Sequence, residues 1–240
     1  MKLFLSPTPT IDSSQKSISG VEHVVIEQRR YLTDYLEFVD SPLNADLLAA
    51  HVIPFADTIP DVLHNHGLYP TGKYPDLPKW MWRSNRNIVN AIRRAKKITV
   101  PSPWVAEIFI RDLGFCPEII PHGINLEEWE KPSIDKKISV VFNKNRVDAV
   151  CTPKPVQELA SLCPDVAFLS TFGTDTKNLS IIGLQSYDEM KEILRKNAVY
   201  FSSTKETFGI GVLEAMAAGM VTLAWDWGNV NELIKHRSTG

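Results

Sequence analysis

Glu206 and Glu214 flank a glycine-containing turn in the run Glu206-Thr-Phe-Gly-Ile-Gly-Val-Leu-Glu214-Ala-Met-Ala-Ala-Gly219. The apolar stretch Ala198 to Ser202 ahead of it reads as a buried strand. The segment after Gly209 and Gly211 reads as a helix that stops at Gly219. A strand, a glycine turn and a helix opening leave backbone N–H groups pointing the same way as the helix dipole, which makes an anion site. Carboxylates repel phosphate, so glutamates at such a corner would take hydroxyls instead, each with lone pairs for both donors of a vicinal diol. A phosphate flanked by two polyols describes a nucleotide sugar. Either glutamate also fits as an ordinary helix carboxylate. Ala215, Ala217, Ala218 and Gly219 favour the first reading, because they strip bulk from the helix and suit close packing beside a ligand or a strand. A second strand, Met220 to Ala224, leads into Trp225-Asp-Trp-Gly228-Asn229 and Glu232.

A departing pyrophosphate carries about two negative charges, which calls for cations. The loop Asn143-Lys144-Asn145-Arg146 and Lys154, just ahead of a helix, are placed to supply them. Lys205 reads as a solvated neighbour of Glu206. Of His64 and His66, one is expected to face the core or a neighbour and the other the cleft. His122, beside Gly123, reads as a cleft-lining residue near a hinge. Asp175, Asp188 and Asp226 lie apart and form no DxD, so no metal loop is indicated. A basic stripe, Arg83, Arg86, Arg93, Arg94, Lys96 and Lys97, follows Trp80 and Trp82. Such a stripe suits an anionic membrane surface, where lipid-linked acceptors reside, and equally suits a solvated helix face.

These residues need elements to hold them. Lys2 to Ser6 reads as a strand, followed by a Pro/Ser/Thr-rich loop, the Ser19-Gly20 turn and a helix toward Tyr35. Leu36 to Val39 reads as a strand, Asn44 to His51 as a helix, and Asp61 to Gly67 as a short strand ending in a loop. Leu68 to Trp82 reads as irregular, Arg83 to Lys96 as a basic helix, Lys97 to Ser102 as a strand and Pro103 to Leu113 as a helix. The charged stretch Glu127 to Lys137, which holds Pro132, reads as a boundary between residues 1–130 and 131–240. Beyond it, strands at 138–142 and 166–170 alternate with helices at 155–162 and 186–196. Two Rossmann-like α/β lobes facing a central cleft, with a shortened C-terminal lobe, is the expected architecture.

Composition limits the alternatives. The 240 residues are 44% hydrophobic and 22% charged, ordinary values for a globular chain. A formal charge of −2 supplies no general basic field to draw in nucleic acid. Cys116, Cys151 and Cys163 show no CxxC spacing, so neither a disulfide framework nor a zinc site is indicated, and a reducing cytoplasm fits. The opening Met1-Lys-Leu-Phe-Leu-Ser-Pro is short for a signal peptide.

The segment Lys205 to Glu232 resembles the signature of the retaining glycosyltransferases of family 4, which have the two-domain GT-B fold. Glu206, Phe208, Gly209, Glu214, Ala215, Met216, Ala217 and Gly219 match its pattern, while Met220 stands where proline is usual and Gly228-Asn229 replaces a glycine pair. Thr99 to Ile124 is similar to the end of that family's first domain, Ser19 to Glu22 to its first glycine loop, and Asp61 to His66 to its cleft segment. The resemblance implies sugar transfer from a nucleotide-diphosphate sugar to the hydroxyl of a sugar, lipid-linked or other acceptor, without cofactor or metal ion. It implies that Glu206 and His66 serve the reacting sugar, that Arg146, Lys154, Phe208, Gly209 and Glu214 bind the donor, and that Gly20, Lys144 and His122 are further candidates. Glu214 would take the ribose diol. Lys144 can stand in for Arg146, because the glycine usual before the arginine is Asn145 here. Rival readings are a nucleotide-sugar-binding protein without turnover, half of a split enzyme, or a GT-B nucleotide-sugar epimerase. A cytoplasmic location, with peripheral contact at the inner membrane face, is the accompanying expectation.

Overall fold

The computed structural model describes residues 1–7, 20–69, 77–129 and 135–240. It divides into two compact units, the first ending at His122 and the second running from Gly123 to Gly240. Both are α/β units built on a wholly parallel sheet, as expected of a Rossmann-like pair.

In the first unit the sheet has six strands in the order β2-β1-β3-β4-β5-β6. These are β1 (Lys2–Ser6), β2 (Glu37–Phe38), β3 (Leu47–His51), β4 (Val62–His64), β5 (Lys97–Val100) and β6 (Glu118–Ile119). The helices are α1 (Gly20–Leu32), α2 (Lys79–Ile92) and α3 (Pro103–Leu113). Leu63, Ile88, Ile92, Val105 and Phe109 meet in one core cluster, all of them almost fully buried. The start of α3 is fixed by Ser102, whose Oγ accepts a hydrogen bond from Val105 N–H at 3.2 Å, with Pro103 inside the first turn.

Two sequence expectations are corrected here. Asn44 to His51 does not form a helix: a short 3₁₀ turn covers Pro42–Asn44 and Leu47–His51 is strand β3. Leu-Leu-Ala-Ala favours helix by propensity, but this segment pairs with β1 on one side and β4 on the other, and tertiary pairing decides. The basic helix begins at Lys79, so Trp80 and Trp82 lie inside it, and it ends at Ile92. Lys96 and Lys97 lie beyond it, ion-paired to Asp61 at 2.6 Å and Glu118 at 3.1 Å.

The second unit carries five strands in the order β11-β10-β7-β8-β9. They are β7 (Lys137–Phe142), β8 (Ala167–Ser170), β9 (Leu179–Ile181), β10 (Asn197–Ser202) and β11 (Val221–Ala224). The helices are α4 (Lys154–Leu162), α5 (Tyr187–Lys196), α6 (Ile210–Ala217) and α7 (Val230–Leu233). A capping box opens α5: Ser186 Oγ accepts from Glu189 N–H, and Glu189 in turn accepts from Ser186 N–H at 2.8 Å. The units part at His122 and Gly123 rather than in the charged stretch after Glu127. The reason is packing, since Ile124 and the buried Trp129 join the core of the second unit with Met190, Leu194 and Val212.

The strand orders locate the functional edges. In the first sheet the chain reverses its direction of travel at β1, between β2 and β3; in the second it reverses at β7, between β8 and β10. Open parallel sheets bind ligands outside the carboxyl ends of the strands at such switch points. The residues after Phe142 and Ser202 occupy that place in the second sheet, and the residues after His51 lie beside it in the first.

Candidate active site

Strands β7 and β10 lie side by side, and the loops leaving them bring Lys144 to Glu206. The Lys144 ammonium donates to Glu206 Oε1 at 2.9 Å, and the Ser202 hydroxyl donates to the same oxygen at 3.2 Å. Backbone bonds hold the lysine in place, with Thr171 Oγ1 accepting from Lys144 N–H at 2.9 Å and donating to Lys144 C=O at 2.8 Å. The lysine side chain is 8% exposed and the glutamate 24%. Burial alone would lower the Lys144 pKa, but the charge of Glu206 and its hydrogen bond more than reverse this and raise it. Burial pushes the Tyr200 phenol up to about 12, so it is neutral here.

The backbone of Glu206 has a separate anchor. It forms a bridge with Gly228, and Asn229 N–H donates to Glu206 C=O at 2.9 Å. A Cβ at Gly228 would come within 2.4 Å of that carbonyl oxygen, and its φ is +69°, so only glycine fits. Gly209, at φ +99°, turns the chain into α6. Phe208 is 5% exposed, so its ring packs within the unit, and its carbonyl accepts from Asn229 Nδ2 at 2.9 Å.

The remaining expected donor residues divide. Arg146 is drawn to Asp148 at 2.6 Å, and Asp148 Oδ1 also accepts from Val150 N–H and Cys151 N–H, both at 2.8 Å. Burial opposes ionisation of Asp148, yet these bonds and the Arg146 charge hold its pKa below the ordinary value. The buried Cys151 thiol is pushed up by burial, and it feels the charges of Arg146, Lys144, Asp148 and Glu206, which places all of them around one loop. Between Lys144 and Arg146, it is therefore Lys144 that meets Glu206. Lys154 begins α4 on the surface, with its ammonium 3.8 Å from Glu158 and 77% exposed, and no contact joins it to the Lys144–Glu206 pair. Glu214 is buried on the inner side of α6, where burial raises its pKa to about 7 against a hydrogen bond from Tyr187 and the charge of Lys191.

In the first unit, four imidazoles gather at the carboxyl ends of β3 and β4. His51 stacks on His64 at 4.8 Å between centroids, lies 5.1 Å from His66, and His66 stacks on His122 at 4.9 Å. His64 and His66 therefore do not divide between two faces, because residues two apart in an extended chain point the same way. His64 Nδ1 lies 2.5 Å from Thr99 Oγ1. Burial keeps the group neutral, lowering His51 to about 2, His66 to about 3, His122 to about 4, and His64 in the same direction. Gly20 is the first residue of α1, exposed, with open space where a Cβ would stand. Among the described residues no group of three or more His, Cys, Asp or Glu is arranged to hold a metal ion.

Sequence reading missed Asp148, Cys151, Tyr187 and His51. His51 lay in the segment expected to be helical.

Comparison with known proteins finds similarity in both units. A family model described as Glycosyl transferases group 1 matches residues 175–240, the stretch that holds Glu206, Gly209 and Glu214. A second, described as Glycosyltransferase Family 4, matches residues 38–128. The two stretches are similar to glycosyltransferases, one in each unit of the chain. Solved structures share its GT-B fold at low identity. The Anabaena protein Alr3699/HepE, in complex with UDP-glucose, is 16% identical, with a TM-score of 0.67 over 98% of this chain and 83% of that one. Sucrose-phosphate synthase from Thermosynechococcus elongatus is 15% identical, with a TM-score of 0.60 over 91% of this chain and 63% of its own. A glycosyltransferase from Rickettsia africae is 14% identical, with a TM-score of 0.59 over 98% and 81%. No curated protein matches this chain in sequence.

The buried histidines make stability depend on pH. A histidine whose folded pKa lies below its ordinary value of 6.5 stabilises the fold fully above that pH, and the contribution is lost as pH falls below it. Glu214, raised to about 7, acts in the opposite sense over part of the same range, but as one group against four. The melting temperature is expected to fall steadily from pH 7 to pH 5, and a flat scanning-calorimetry profile over that range would contradict the buried neutral assignment.

Proposed function

We propose that this chain is a retaining, hexosyl-transferring glycosyltransferase that moves a sugar from a nucleoside diphosphate to an acceptor hydroxyl. The observation that carries the reading is the Lys144–Glu206 pair at the switch point of the second sheet, beside the glycine-opened start of α6. A carboxylate there accepts sugar hydroxyls, while the N–H groups opening α6 and the cations of the Lys144–Arg146 loop receive phosphate, taking the place of a divalent ion. The bond from the sugar carbon to the phosphate oxygen breaks as a bond to the acceptor oxygen forms on the same face. The acceptor proton passes to the departing phosphate. Anabaena HepE is seen with UDP-glucose, so UDP-glucose is the first donor to test.

Glu206→Gln keeps an oxygen for the Lys144 ammonium while removing the charge, whereas Glu206→Ala would strand the ammonium with Ser202 alone. The expected outcome for Glu206→Gln is a folded protein with a lowered melting temperature, because the buried ammonium loses its counter-charge, and a loss of about a hundredfold or more in kcat for transfer. Near-parental turnover would remove Glu206 from the reaction.

Glu214 is assigned to the ribose diol. It must be ionised to accept two hydroxyl donors, and burial holds its pKa at about 7. Donor affinity measured by calorimetry is then expected to rise from pH 6 to pH 8, and Glu214→Gln to flatten that rise. An unaltered profile in the variant would refute the ribose role.

For the acceptor side, helix α2 exposes Trp80 and Trp82, 47% and 48% accessible, alongside the exposed Arg83 and Arg86. Apolar rings beside cations favour an anionic membrane surface as the place where a lipid-linked acceptor is met. No described helix is long and apolar enough to cross a membrane, so such contact would be peripheral. Co-sedimentation with vesicles containing phosphatidylserine is expected, weakening in Arg83→Glu/Arg86→Glu, and equal recovery with neutral vesicles would exclude it.

A further inference from the structure

The histidines of the first unit are joined by directed hydrogen bonds as well as by stacking. His51 Nε2 lies 2.8 Å from Gln28 Oε1, and His51 Nδ1 lies 2.8 Å from His66 Nε2. Gln28 sits on α1, His51 ends β3 and His66 follows β4, so three separate elements bring the atoms into line. An amide oxygen can only accept, which makes His51 Nε2 the donor in its bond. A neutral imidazole has one donor and one acceptor nitrogen, so His51 Nδ1 then carries the lone pair. His66 Nε2 must supply the proton for the second bond. Its own lone pair is thereby moved to Nδ1, which has no hydrogen bond among the described residues.

We propose that Gln28 and His51 are positioning residues that lock His66 in the Nε2–H tautomer, so that His66 meets its ligand with Nδ1 as a hydrogen-bond acceptor for a hydroxyl. That the hydroxyl belongs to a sugar or acceptor rests on the function proposed above. The lock has a chemical consequence. A neutral imidazole free to choose its tautomer can donate or accept at the exposed nitrogen, and a fixed one discriminates between a hydroxyl that donates and a carbonyl that cannot. The burial that keeps His51 and His66 uncharged removes the alternative in which both nitrogens of a ring donate.

The test is long-range ¹H–¹⁵N correlation NMR of the full chain labelled at histidine, at pH 7, with assignments from single His→Gln variants. His51 and His66 are each expected to show a protonated Nε2 and an unprotonated Nδ1. Protonation of His66 at Nδ1, or at both nitrogens, overturns the proposal. Gln28→Glu keeps an accepting oxygen and is expected to preserve the pattern. Gln28→Leu removes it and is expected to leave His66 averaged between its two tautomers while the fold persists. A Gln28→Leu spectrum with His66 unchanged would show that the glutamine fixes nothing. Because the readout needs no substrate, an inactive protein with the expected spectrum would count against the transferase reading only, and an active one with the other tautomer against this proposal only.

Discussion

An ammonium group buried beside a carboxylate is the constraint around which the second unit is arranged. Taking Lys144 out of water carries a penalty of several kcal/mol before any partner is counted, so its neighbours must be fixed in advance. Its own backbone is tied to Thr171 at the end of β8, and the Glu206 oxygen it meets is also held by Ser202 at the end of β10. Three strands thus converge on one ion pair, with β7 between the other two. That convergence is possible because parallel strands all end on the same side, and the switch in strand order leaves a gap there instead of a crossing connection.

The pair also explains why the cations of this loop are not equivalent. Lys144 is inside, matched to Glu206, while Arg146 is turned back on Asp148 by the same turn that satisfies Val150 and Cys151. Asp148 therefore shapes the loop and holds a charge in reserve beside it. Lys154 stands apart on the surface of α4. Under the proposed function, a donor phosphate at the opening of α6 would meet positive groups already partly neutralised, so its binding would exchange carboxylate partners instead of neutralising bare charge.

Much of this was legible in the sequence, and the failures have physical causes. The strand, glycine turn and helix from Ala198 to Gly219 could be read because the glycines mark the turn and the apolar run is long enough to show its period. The segment Leu47 to His51 could not, since its leucines and alanines suit helix or buried strand and only its two neighbours decide. Strand β9, Leu179–Ile181, is too short to carry a period at all. The Lys144–Glu206 contact joins residues from two strands that neighbour only through a crossover, so no local spacing announces it. The same is true of His51, whose partners Gln28 and His66 come from α1 and from the end of β4. Glutamates that sit on one turn were found from sequence; partners that meet only across a sheet were not.

Gly228 carries a consequence of a different kind. By bridging to Glu206 through main-chain atoms, and by admitting no side chain of its own, it fixes where the Glu206 Cα lies whatever that residue's side chain does. The socket and the plug are separately specified. Exchanging the side chain at 206 therefore alters what the corner recognises without moving the loop that presents it, whereas a substitution at 228 displaces the presenting loop and leaves the recognising group chemically intact. Under the proposed function, remodelling of donor preference has its natural entry at the former position, and the latter is where it would be undone.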